Sequence, residues 1–166
     1  RFAFIVDKSG SMGGRMQEAK DELYRAISEL PDFASVFVVF YDSGDPQPFS
    51  ERWERVRSGT MQRLRRWLRD VGPGGGTQPM GAYLLVYSLD LRPDVIFFLS
   101  DGEIPEDSIE AVRQLNSRGK RVVINTVSFG DERGRVQLRQ IAQQSDGQFR
   151  EVLPANGNGD RGRGRP

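Results

Sequence analysis

The 166-residue chain contains no cysteine and no histidine. Without cysteine it can form no disulfide, offers no thiolate to a metal and has no cysteine nucleophile, and its redox compartment is left open. Without histidine it lacks the commonest general base, the imidazole ligand of zinc sites and any Ser-His-Asp triad, so much of hydrolase chemistry has no carrier. Long apolar runs are missing too: stretches such as Val95 to Leu99 are far too short to span a bilayer. A net charge of +1 argues against a globally cationic surface built for nucleic acid. What remains, 37% hydrophobic and 28% charged residues, suits one domain with one core. The chain opens at Arg1 and enters an apolar stretch at once, with no initiator Met or charged leader, and so reads as a piece of something longer.

Apolar periodicity orders the elements. Phe2 to Val6 reads as a buried strand, and Ala19, Leu23, Tyr24, Ile27 and Leu30 fall at helical spacing until Pro31. Val36 to Tyr41 is a second strand, and Pro46 and Pro48 restrict the segment near Phe49 to an edge strand. Met61, Leu64, Trp67, Leu68 and Val71 mark a second helix, and Met80, Leu84 and Tyr87 a third that opens just after Thr77. Val95 to Leu99 is a buried strand, followed by a helix carrying Ile109, Val112 and Leu115 that ends at Gly119. Arg121 to Val127 supplies another strand, Val136 to Ala142 a last helix closed by Gly147, and Gln148 to Leu153 a last strand. This alternation predicts a Rossmann-like, doubly wound, mostly parallel sheet of six strands, one of them a short edge strand, with helices on both faces. Residues 154–166 are Gly, Asn, Asp, Arg, Ala and Pro, with nothing to bury, and are expected to be disordered.

In a sheet of order 3-2-1-4-5-6, ligands bind beyond the carboxyl ends of the first and fourth strands. Counting strands puts Asp7 after the first and Asp101, in the run FFLSDGE, after the fourth, so both carboxylates meet at one crevice. Asp7, Ser9 and Ser11 alternate in the run FIVDKSGSM, where three oxygen-bearing side chains at a strand end invite a hard metal ion, and Thr77 stands in the loop PGGGTQP. Each piece alone is also what a turn or a helix N-cap would require; their joint order, each at a strand end or helix start, favours a metal site.

Together the five residues resemble the metal-ion-dependent adhesion site (MIDAS) of von Willebrand factor A domains, with its Asp-x-Ser-x-Ser, Thr and Asp elements in that order, and Gly10 and Gly102 fit the same pattern. The resemblance runs from Phe2 to about Leu153. It implies that Ser9, Ser11 and Thr77 coordinate Mg2+ (or Mn2+ or Ca2+) directly, that Asp7 and Asp101 act directly or through water, and that an Asp or Glu of a partner protein takes the open position. The expected role is a non-catalytic, metal-dependent protein-binding module, one part of a larger bacterial or similar protein. Asp42 and Glu103, in loops near the crevice, are candidates for supporting groups. One departure stands out: the family follows its last strand with a helix that shifts when ligand binds, whereas Pro154 leads into a Gly-rich tail, so that affinity switch is not carried over.

Two other readings compete. A Mg2+-dependent phosphoryl-transfer enzyme would use Asp7 as nucleophile, as haloacid-dehalogenase-like enzymes use the Asp ending their first strand. Those enzymes need a second Asp two residues on, where this chain has Ser9, and neither a phosphate loop nor a dinucleotide turn follows the strand. A nucleic-acid-binding protein would rest on Arg52, Arg55, Arg57, Arg63, Arg65, Arg66 and Arg69, interleaved with Trp53 and Trp67. The apolar residues of that stretch sit at core spacing, which makes the arginines a solvated helix face.

Overall fold

The computed structural model describes residues 1–152 apart from Glu103 and Asp131. Leu153, the expected tail at 154–166 and the candidate Glu103 therefore lie outside the described residues. In chain order the elements are β1 (Phe2–Asp7), a short 3-10 turn (Gly10–Gly14), α1 (Met16–Ser28), β2 (Ser35–Tyr41), β3 (Gln47–Pro48), β4 (Glu54–Arg55), α2 (Ser58–Asp70), α3 (Met80–Ser88), β5 (Val95–Ser100), α4 (Glu106–Ser117), β6 (Val123–Ser128), α5 (Glu132–Gln144) and β7 (Phe149–Glu151).

The sheet runs β3-β2-β1-β5-β6-β7, with β4 also paired to β2. The five longer strands are mutually parallel, and only β3 and β4 run antiparallel, side by side along the same edge of β2. This is the expected doubly wound arrangement with a seventh strand added. The strand at Glu54–Arg55 carries no alternation a reader of the sequence could use, because it is two residues long and held through its backbone to Ser35 and Val36. With two short strands ahead of it, the strand before Asp101 is fifth in the chain and not fourth, yet it still lies directly beside β1.

The period of two along β1 divides the core. Phe4 and Val6 face one side, where α1 and α2 cover them with Ala19, Leu23, Ile27, Leu64 and Leu68. Ala3 and Ile5 face the other, beneath Ala82, Tyr83 and Val86 of α3, Ile109 and Val112 of α4, and Leu138 and Ile141 of α5. Strands buried on both faces read as continuous apolar runs, which is why β1, β2 and β5 were legible.

Both tryptophans of the arginine-rich stretch belong to this packing. Trp67 meets Phe40 at 5.5 Å and Phe49 at 5.4 Å between ring centroids, and Trp53 lies 6.0 Å from Phe37 while its Nε1 donates to the Leu91 carbonyl at 2.9 Å. Gly119 has φ +79° just past α4, as a helix-ending glycine does. The expected stop at Gly147 is displaced: α5 ends at Gln144, and Asp146 takes the left-handed conformation at φ 57°.

Candidate functional site

Asp7 is the last residue of β1 and is fully buried. Its Oδ1 accepts the Ser9 backbone N–H at 2.8 Å; its Oδ2 accepts the hydroxyls of Ser100 at 2.6 Å and Tyr41 at 3.1 Å. Sheet register explains these donors, since Tyr41 is the residue of β2 opposite Asp7 and Ser100 ends the neighbouring β5. Neither was singled out from sequence, although a polar residue closing an apolar strand, as Ser100 closes VIFFL, was an available signal. Burial and the nearby charge of Asp7 hold the Tyr41 phenol well above its ordinary pKa, so it stays a donor.

Among the described residues no cation answers the Asp7 carboxylate. The adjacent Lys8 turns away and donates its Nζ to Asp42 Oδ2 at 2.5 Å, and among the described residues no lysine or arginine pairs with Asp7 or Asp101. Asp42 is thereby committed to Lys8 and to the Gly44 N–H at 2.7 Å, and the Lys8 ammonium holds its carboxyl below the usual carboxylate range. A buried carboxylate with hydrogen bonds but no counter-charge is costly in the folded state and favours a bound cation.

Above Asp7 the hydroxyls gather. Ser9 Oγ and Ser11 Oγ are 3.1 Å apart, and Ser11 Oγ donates to Asp101 Oδ1 at 2.9 Å. Burial first, and then the charge of Asp7, raise the Asp101 carboxyl above its ordinary pKa, opposed by the Ser11 hydrogen bond. A Cβ placed on Gly102 would stand 3.6 Å from Thr77 Oγ1 and 3.9 Å from Ser11 Oγ, which brings Thr77 to the same rim. The five residues singled out from sequence thus lie near one another at the carboxyl ends of β1 and β5, with Asp7 and Ser9 buried. The capping alternative is absent at two of them: Ser9 makes no side-chain cap to the 3-10 turn, and α3 is capped at Pro79 without a side-chain bond, leaving Thr77 Oγ1 unpartnered among the described residues.

Backbone contacts hold the three loops together. Gly10 N donates to Gly75 O at 3.0 Å and Gly74 N to Lys8 O at 2.8 Å, tying the PGGGT loop to the loop after β1, and Gly76 N donates to Ser43 Oγ at 3.0 Å, tying it to the loop after β2. Gly75 has φ +67° and lies so near Asp42 and Ser43 that a Cβ there would meet them at 3.0 Å. Beneath Asp101, Gly130 leaves room for its carbonyl, since a Cβ would fall 1.5 Å from that oxygen. Among the described residues no three His, Cys, Asp or Glu side chains form a metal-binding group, so the donor set here is two carboxylates with three hydroxyls, oxygen ligands of the kind hard divalent cations take.

A mostly parallel α/β sheet with polar loops gathered at the carboxyl ends of two adjacent strands defines the class of protein. Within that class, the family model of the von Willebrand factor type A domain matches residues 1–150, and the chain belongs to that family. Curated relatives include inter-alpha-trypsin inhibitor heavy chain H3 of Pongo abelii and of Homo sapiens, each 24% identical over 170 aligned positions, covering 90% of this chain but 19% and 18% of those proteins. The chain therefore spans less than a fifth of their length. Among solved structures, a von Willebrand factor type A protein from Catenulispora acidiphila superposes with a TM-score of 0.79 at 20% identity, covering 91% of this chain and 38% of that one. Proximal thread matrix protein 1 of the mussel byssus, solved with a zinc-occupied MIDAS motif, superposes with a TM-score of 0.69 at 20% identity over 90% of this chain and 40% of its own. At these identities the structural likeness establishes the fold.

Proposed function

We propose that this domain is a non-catalytic, divalent-metal-dependent protein-binding module whose metal site is a MIDAS formed by Asp7, Ser9, Ser11, Thr77 and Asp101. The observation that carries the reading is the buried Asp7 carboxylate, without an ion pair among the described residues, lying beneath hydroxyls that cap no helix, with Asp101 nearby. Membership of a family that is generally an interaction module supports it, as does the metal-occupied motif of the mussel protein.

The residues divide the work. Ser9, Ser11, Thr77 and Asp101 offer oxygens at the rim, while Asp7, held by Ser100 and Tyr41, supplies the second negative charge from below. Two carboxylates just balance a dication such as Mg2+, Mn2+ or Ca2+. When bound, such an ion offers an acidic side chain of a partner a charged, oxygen-seeking position. Catalysis is not expected: there is no histidine, the position two residues after Asp7 is Ser9, and Asp7 is fully buried and accepts from Ser9, Tyr41 and Ser100 rather than facing a substrate. No helix among the described residues is long and apolar enough to cross a membrane.

Titration calorimetry with MgCl2 and MnCl2 tests the reading. A single site is expected in the wild type and its loss in Ser11→Ala, which keeps both carboxylates. Equal binding by the two proteins rejects the assignment, and metal-dependent hydrolysis of a phosphate ester that vanishes in Asp7→Asn rejects the non-catalytic role.

A further inference from the structure

Outside the crevice, α1 and α2 enclose a groove of about 780 Å3 lined by Gln17, Lys20, Asp21 and Tyr24 from α1 and Gln62, Arg65, Arg66, Leu68 and Arg69 from α2. Apart from Leu68, the residues lie at i, i+3, i+4 and i+7 on each helix, so each contributes one face. None of them belongs to the proposed metal site. Four cations against one carboxylate line it, in a chain whose net charge is only +1.

The arginines of α2 differ from Arg25 of α1 and Arg113 of α4. On α1, Arg25 pairs with Glu22 at 2.7 Å and Glu29 at 2.8 Å, and on α4 Arg113 pairs with Glu110 at 2.5 Å. On α2, Arg63 reaches Glu54, but Arg66 and Arg69 are exposed with no ion pair among the described residues, and Arg65 lies over the Tyr24 ring at 5.9 Å. Like charges one turn apart destabilise a helix, a cost that an anionic ligand removes. Lys20 adds a cation at the bottom, its ammonium donating to the Val71 carbonyl and its pKa lowered chiefly by burial.

The same surroundings select among anions. Single-stranded nucleic acid needs free aromatic faces, but Trp53 and Trp67 are engaged in the core contacts described above and Tyr24 is covered by Arg65. A duplex is convex and meets only the rim of a groove between two helices. Asp21, held by the Gln17 amide at 2.9 Å, repels any anion placed against it but accepts a peptide N–H, which sulfate and phosphate lack, and Gln62 can bond either peptide group. Each guanidinium can hold a carboxylate bidentately through its planar fork, and Arg65 and Arg69 repeat that fork one helical turn apart. We infer that the α1–α2 groove is a second binding surface, for an acidic segment of a partner polypeptide, engaged through Arg65, Arg66 and Arg69 independently of metal.

Fluorescence anisotropy with a labelled oligoglutamate peptide, carried out in EDTA, separates this surface from the crevice. Binding is expected at low salt and should weaken as salt rises; Arg66→Glu/Arg69→Glu should weaken it by about tenfold or more, with a melting midpoint no lower than wild type. Arg113→Glu/Arg118→Glu makes the same charge change on and just after α4 and should leave binding within about twofold. The inference is overturned by absence of peptide binding at low salt, by equal losses in the two double variants, or by tighter binding of oligothymidylate or a sulfated polysaccharide than of oligoglutamate. Binding that requires Mg2+ would assign the peptide to the crevice and overturn it equally.

Discussion

Free metal should raise the melting temperature with a defined slope. The Asp7 carboxylate is fully buried with no ion pair among the described residues, and Asp101, pushed toward its neutral form by burial and by Asp7, stands nearby. A dication that binds only the folded state stabilises it by RT ln(1 + [L]/Kd), so each tenfold rise in free metal above Kd adds about 1.4 kcal/mol. For a domain of this size a kilocalorie moves the midpoint by about 2–4 °C, giving roughly 3–6 °C per decade. Asp101→Ala removes one rim carboxylate together with its repulsion of Asp7, so this variant should melt no lower than wild type in chelator and show no metal slope. The assay is a set of melting curves for both proteins across MgCl2 or MnCl2 concentrations with chelator as baseline. A flat wild-type response, or the same slope in both proteins, refutes the reasoning.

Thr77→Val, which removes a hydroxyl that has no partner among the described residues, should change chelator-state stability by less than about 0.5 kcal/mol while moving the onset of metal stabilisation to higher metal concentration, as read from the same curves. Tyr83 is fully buried and its hydroxyl finds no hydrogen-bond partner among the described residues, so Tyr83→Phe should stabilise the fold by about 1 kcal/mol in urea denaturation, a desolvation penalty being removed. Alkali should unfold the protein: burial, against the opposing influence of Arg92, pushes the Tyr87 phenol up to about 12, and burial pushes Tyr83 well above its ordinary value. Both are acids whose folded pKa is raised, so their contribution is intact below the unfolded value of about 10 and is lost as pH climbs through the folded one, on the order of 2–3 kcal/mol from Tyr87 alone. Tyrosinate absorbance rising together with loss of circular dichroism above that pH is the expected result, and ionisation without unfolding would contradict it.

The apolar runs of β1, β2 and β5 and the spacing on α1 and α2 determined the layered sheet from sequence alone, because elements buried on both faces or along one helical stripe write their environment into their composition. The alternation Asp7, Ser9, Ser11 likewise placed oxygen atoms at a strand end without any fold. What sequence left open was every fact that depends on residues distant in the chain. Register set Tyr41 and Ser100 against Asp7, a choice no local pattern carries. The turn of Lys8 toward Asp42, which leaves Asp7 without an ion pair among the described residues, depends on a loop thirty-four positions away. The two-residue strand at Glu54–Arg55 exists only because β2 offers an edge to pair with. The glycine at 130 is required by the Asp101 carbonyl it lies against, and the arginines of α2 become one wall of a groove only when α1 supplies the other. Period and composition report whether a side chain is buried, but which partner it meets is decided by the tertiary packing that brings separate segments within a few ångströms.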